Sequence, residues 1–280
     1  MIGIHHGMDE ATYHADPCPE PSLSSGIIRA LLRSPMHAHH IHPRLGGAAS
    51  DDTQPRDDGT VLHSLILGSD SRVAVIEAPD YRKKEAQEQR DAARAAGLTP
   101  ILRHRYDELL QAADGIDTHM PRLPPGHPEA SLIWREGPTW CRARVDWLPN
   151  DKRAPLYDLK TTGLTANPAA WQRKLVSDYC IQAAWYLRGA RALGLRPSDF
   201  VFIVAETEPP HGVATLACAP SLLAYAEREI DRAMAIWRRC LATNQWPGYP
   251  TATAYVEAPS WLLEQQEERA LNDEILEEMT

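Results

Sequence analysis

No stretch of this 280-residue chain approaches the apolar length of about 20 residues that a membrane-spanning helix needs. An integral helical membrane protein is therefore not expected. The opening segment, MIGIHHGMDEATYHADPC, lacks a basic region followed by an apolar one, so no secretory leader is read and the cytoplasm is the expected compartment. The five cysteines (Cys18, Cys141, Cys180, Cys218 and Cys240) are odd in number, scattered, and include no CxxC pair. That excludes an obvious disulfide framework or zinc ribbon. No internal repeat is visible. An excess of basic charge is also missing, since the formal net charge is −9. This counts against a polyanion ligand. The charge is unevenly placed, however: residues 257–280 hold eight acidic residues and one arginine, which leaves a nearly neutral body that can still carry a basic groove.

The length suits one large domain with a small appendage. The division expected is a domain over residues 1–256 and an acidic helix or tail over 257–280. The most informative stretch is Arg142 to Thr162, RARVDWLPNDKRAPLYDLKTT. Its first half alternates with a period of two, Arg142, Arg144 and Asp146 against Cys141, Ala143, Val145 and Trp147, as a strand does. Its second half puts Leu156, Asp158 and Lys160 on one face, with Tyr157 and Leu159 on the other. Pro149, Asn150 and Asp151 supply turn chemistry between them. A hairpin centred near Lys152 sets Asp146 across from Asp158. Two carboxylates with a lysine alongside are hard oxygen ligands suited to Mg²⁺ or Mn²⁺, next to a cation that can stabilise charge on a phosphate. A surface hairpin with a salt bridge is the plainer account. The apolar approach to Asp158-Leu159-Lys160 and the matching offset of Asp146 weigh against it.

Elsewhere, Ser22-Leu23-Ser24-Ser25 offers helix N-caps before Gly26 to Leu32, and Ser34-Pro35 ends that helix or starts the next. His37, His39, His40 and His42 cluster without a carboxylate or cysteine to complete a metal set, so a polar helix end is the main reading. Gly46 to Asp58 reads as a mobile loop. A helix from about Asp57 carries the apolar stripe Val61, Leu62, Leu65 and Ile66, with His63 beside it. Helices are expected over Tyr81 to Gly97, Ile101 to His119 and Ser221 to Ala242, and strands from Glu129, over Phe200 to Glu206 and over Val213 to Ala217. Asn167-Pro168 starts a short helix, and Asp178 is expected to cap the next, on which Gln182 and Tyr186 share a face.

Asp146, followed by Asp158-Leu159-Lys160-Thr161-Thr162, resembles the core of a PD-(D/E)XK nuclease of the branch related to exonuclease VIII (RecE) and RecB-type domains. The helix Gly59-Thr60-xx-His63 resembles that group's histidine motif, Gln182-xxx-Tyr186 its QxxxY pair, Glu129-x-Ser131 its early acidic position, and Ser24 to His37 its N-terminal region. The resemblance implies an α/β fold of restriction-endonuclease-like type, a central mixed β-sheet flanked by helices. It implies metal held by His63, Asp146, Asp158 and the Leu159 carbonyl, catalysis by these with Lys160 and Glu129, and DNA contacts from Gln182, Tyr186, Thr161, Thr162 and Arg144. Mg²⁺ is the cofactor expected, with Mn²⁺ able to substitute. No iron–sulfur cluster is expected, because the closely spaced cysteines of cluster-bearing relatives are missing. The activity implied is 5′ to 3′ exonucleolytic degradation of linear duplex DNA, giving single strands to an annealing protein in phage or prophage recombination, by a homo-oligomer. An endonuclease or defence-related nuclease on the same core, a non-catalytic DNA-binding protein, and an adaptor acting through the acidic tail are the alternatives.

Overall fold

A computed structural model describes residues 1–47, 54–69 and 73–278, without the side chains of residues 54–56 and 273–278. These fall into two compact units, Met1–Gly248 and Tyr249–Thr280. The first unit begins with β1 (Gly3–His5), α1 (Glu10–His14), α2 (Ser25–Arg33), α3 (Pro35–Ile41) and α4 (Gln54–Leu67). It continues with β2 (Val73–Ile76), α5 (Lys84–Ala95), β3 (Thr99–Leu102) and α6 (Arg103–Asp117). Strands β4 (Gly126–Glu136), β5 (Thr139–Pro149) and β6 (Leu156–Thr162) follow, then α7 (Pro168–Lys174), a π-helical turn (Leu175–Tyr179) and α8 (Cys180–Ala192). The unit closes with β7 (Phe200–Glu206), β8 (Val213–Ala217) and α9 (Pro220–Thr243). In the second unit, α10 (Ser260–Glu278) exposes its described side chains. No helix of the described residues is long and apolar enough to cross a membrane.

The main sheet has the order β1-β4-β5-β6-β7-β8. Only β6 and β7 run parallel, because α7, the π turn and α8 form the crossover between them. β7 is apolar from Phe200 to Ala205 because it is buried on both faces. Phe200 and Phe202, the only phenylalanines in the chain, join a core with Ile28, Leu31, Trp185, Ile230 and Trp237 from the helices. Ile203 and Ala205 join a second core with Val61 and Leu62 of α4 and Leu109 and Ile116 of α6. The sheet is thus covered on both sides, the restriction-endonuclease-like arrangement expected. The approach of α8 to β4 is so close that a Cβ on Gly189 would lie 2.6 Å from the Trp134 ring.

Strands β7 and β8 have the bounds that their sequences suggest. Residues 48–53 of the expected loop lie outside the described residues, and α4 starts at Gln54, earlier than its composition suggests. The N-cap expected at Asp178 does not form. The π turn carries the chain into α8 without a new start: the Cys180 N–H bonds to the Leu175 carbonyl, and Asp178 accepts from the Ser177 hydroxyl.

The N-terminal segment is tied to the sheet by a buried ionic cluster. Asp16 accepts from Ser22 Oγ at 2.7 Å and Ser22 N at 2.8 Å, with Arg142 Nη1 at 3.2 Å and His42 Nε2 at 3.4 Å. Burial alone would raise the Asp16 pKa, but His42, Arg142 and Ser22 outweigh it and hold the carboxyl down at about 2. A folded value below the unfolded 3.8 stabilises the protein fully above about pH 4 and ceases to do so as pH falls through about 2. We expect Asp16→Asn to cost about 2 kcal/mol at neutral pH in urea unfolding. Asn tolerates the left-handed backbone at this position, φ 64°. The gap between variant and wild type should close between about pH 4 and pH 2; a pH-independent gap would exclude this origin.

Candidate active site

The site forms where β5 and β6 separate. Their antiparallel ladder contains the pair Trp147–Tyr157, and the same register sets Asp146 opposite Asp158. Beyond that pair the Leu159 N–H bonds to the Asp146 side chain, Oδ2, at 2.8 Å. The carboxylate thus lies in the gap between the strands. Asp146 Oδ2 also meets His63 Nε2 at 2.8 Å. His63 reaches it from α4, which packs on β6 through Val61, Leu62 and Leu159.

Glu129 stands on the next strand. The β4–β5 ladder pairs Pro128 with Trp147 and Ala130 with Val145, leaving Glu129 and Asp146 opposite each other between those pairs. Glu129 has φ 53°, a left-handed backbone uncommon outside glycine and asparagine and costing on the order of 1 kcal/mol or more. Its Oε1 lies 3.2 Å from His63 Nδ1, and its Oε2 accepts from Arg144 Nε at 2.6 Å. Arg144, expected to meet DNA, is thus turned onto Glu129. It is fixed there by Ser131 Oγ at 3.2 Å and the Met8 carbonyl at 2.8 Å.

Asp158 is buried on β6, in contact with the Lys160 ammonium and accepting from Gln182 of α8. Lys160 pairs with Asp158 Oδ1 and Gln182 with Oδ2, so each oxygen of this buried carboxylate has a partner. Tyr179, brought in by the π turn, lies with its ring centre 5.2 Å from Lys160 Nζ and stacks on Trp171. Such turns recur at functional sites. Nothing in the sequence marked this one, and Tyr179 was missed with it.

The charges are strongly coupled. Burial and the neighbouring Asp146 push the Asp158 carboxyl up, against the pull of Lys160. Burial alone would raise Asp146 too, but His63, Lys160 and the Leu159 N–H bring it down. Burial would lower His63, yet Asp146 and Glu129 raise it to about 10. Lys160 is likewise raised by Asp158 and Asp146 against its burial, and stays an ammonium at neutral pH.

The remaining expected residues are less directly placed. Tyr186 is buried with its ring edge-on to Phe200, and burial raises its pKa well above the ordinary value. Thr162 is buried and its hydroxyl accepts from Leu164 N at 3.2 Å, shaping the turn after β6; Thr161 is half-buried. Of the histidine cluster, His37 bonds Ser34, His39 packs on Trp246, and His42 belongs to the Asp16 cluster.

The donor set fits a hard divalent cation. Ligand atoms of His63, Glu129 and Asp146 lie within 4.8 Å of one another, the one such group among the described residues. Asp158 adds a buried carboxylate from the facing strand, held between Lys160 and Gln182.

A mixed sheet giving an aspartate from one strand and Asp-x-Lys from the next, with helices on both faces, defines the PD-(D/E)XK nuclease superfamily. A family model described as a PDDEXK-like domain of unknown function (DUF3799) matches residues 30–259, and the chain belongs to that family. A crystal structure of a "putative exonuclease" from Eubacterium rectale is similar in fold, with a TM-score of 0.59 at 11% identity, over 91% of this chain and 96% of that one. No curated protein matches the chain.

Proposed function

We propose that this protein is a divalent-metal-dependent deoxyribonuclease that acts as an exonuclease on linear duplex DNA, 5′ to 3′, with Mg²⁺ as its cation. The observation that carries this reading is the opposition of Asp146 and Asp158 across separating strands, with Lys160 two residues beyond Asp158. Asp146, Asp158, Glu129 and His63 would hold the cation, with the Leu159 carbonyl as a further donor. When bound, the metal supplies a hydroxide near neutral pH and polarises a phosphoryl oxygen. Lys160, held as an ammonium, is not a general base. It orients water by donating a hydrogen bond and offsets negative charge building on the phosphate. Gln182 steadies Asp158 from α8, and Tyr179 and Phe202 wall the lysine. The product strand would pass to an annealing partner in recombination, and the working form would be a homo-oligomer. The acidic residues 257–280 are read as a segment apart from the nuclease domain.

The test is hydrolysis of linear duplexes labelled at either the 5′ or the 3′ end, beside a covalently closed circle, with Mg²⁺. Early release of 5′-labelled mononucleotides, with the circle intact, is expected. Nicking of the circle would replace this reading with an endonuclease. A second expectation concerns Gln182→Met, which removes the donor to Asp158 and keeps a side chain of similar length and helix propensity. Cleavage should fall about 10–100-fold with more metal needed for half-maximal rate, as for other partners that orient a ligand. A metal titration of initial rates reads this directly; an unchanged titration would give Gln182 no part in the site.

A further inference from the structure

We propose that Arg144 is a positioning residue that aims Glu129 at the metal centre. The inference rests on the metal-site reading above. Glu129 stands in a left-handed backbone opposite Asp146, where the β4–β5 ladder skips a pair. A glutamate there has a long side chain with several accessible rotamers, and its own strand does not fix them. Arg144 does. Its Nε takes Glu129 Oε2 at 2.6 Å, and this leaves Oε1 directed at His63, 3.2 Å away. Arg144 is itself held at its other end by Ser131 Oγ and the Met8 carbonyl, so the clamp is anchored to β4 and to the N-terminal segment. Its side chain is only 15% exposed, which leaves little of it for a phosphate.

Arg144 also balances charge. Glu129, Asp146 and Asp158 bring three carboxylates into one partly buried region, and Lys160 faces Asp158. Arg144 offsets the third carboxylate without entering the group of ligand atoms. Removing it therefore has two opposite consequences for a cation. The loss of a positive charge attracts the metal more strongly, and the loss of orientation withdraws a ligand. The clamp geometry assigns the larger effect to orientation.

The test is Mn²⁺ binding to the DNA-free protein, followed by electron paramagnetic resonance, for wild type, Arg144→Met, Arg144→Lys, Glu129→Gln and the double variant Arg144→Met with Glu129→Gln. Arg144→Met should weaken binding about 10–100-fold, the usual effect of losing a partner that orients a ligand. Arg144→Lys should recover part of it, and the double variant should be no worse than Glu129→Gln alone. Circular dichroism and melting temperature show which variants remain folded, and Arg144→Lys carries the test if Arg144→Met does not. DNA binding in EDTA should be unchanged. Unaltered or tighter Mn²⁺ binding in a folded variant would overturn the proposal, as would a loss confined to DNA binding. Absence of Mn²⁺ uptake by the wild type would overturn the metal-site reading as well, so the two failures are distinguishable.

Discussion

Asp146→Asn is expected to remove metal-dependent cleavage while leaving the fold in place. The side chain keeps its shape and one carbonyl oxygen, which can still accept the Leu159 N–H that Asp146 Oδ2 accepts at 2.8 Å. What disappears is the charge facing His63 on one side and Asp158 on the other. Outer partners that merely orient a ligand cost about 10–100-fold when lost, and a ligand in direct contact should cost more. The expected result is a cleavage rate reduced by well over 10²-fold and weak Mn²⁺ binding, with a melting temperature close to wild type. Cleavage within tenfold of wild type would mean that Asp146 serves the strand junction alone.

Lys160→Ala should separate metal binding from turnover. Loss of one preorganised charge-stabilising donor typically costs about 10²–10³-fold in kcat. The same change leaves Asp158 without its ammonium partner, in a site where the carboxyl already meets the charge of Asp146. Attraction for a divalent cation should then be equal or greater. The variant is expected to bind Mn²⁺ at least as well as wild type and to cleave on the order of 10²–10³-fold more slowly. Lys160→Arg should not restore the rate, because a planar guanidinium does not occupy the space of an ammonium enclosed by Tyr179 and Phe202. Parallel loss of metal binding and rate would place Lys160 in the structure of the site and not in its chemistry.

How far the sequence revealed this site depends on the interaction concerned. The Asp146–Asp158 opposition was legible because period-two alternation and a central turn fix a hairpin register, and a one-residue slip would turn one carboxylate to the face opposite the other. Glu129 could have been placed more firmly. The Gly137-Pro138 turn, with Gly137 at φ 58°, makes a tight hairpin whose register sets Glu129 across from Asp146. The left-handed backbone at Glu129 had no such signal, since nothing local demands it. The pairing of Arg144 with Glu129 was not legible for a related reason. An arginine on a polar strand face looks the same whether it faces a phosphate or a carboxylate, and only the pairing with β4 reveals its partner. The small parallel pair β2–β3 also went unread, because its strands are four residues each and one contains Pro100. β7 was legible because six consecutive apolar residues without glycine or proline suit a strand buried on both faces.

The central claim is that cleavage of DNA by this chain depends on a divalent metal and on the Asp146, Asp158 and Lys160 constellation. The most direct measurement is release of acid-soluble nucleotide from linear duplex DNA by purified wild type with Mg²⁺, with Mn²⁺ and with EDTA, beside Lys160→Ala under the same conditions. Release with either metal, none in EDTA, and a variant slower by about 10²–10³-fold are expected. Release that persists in EDTA, or that is equal in the variant, would contradict it.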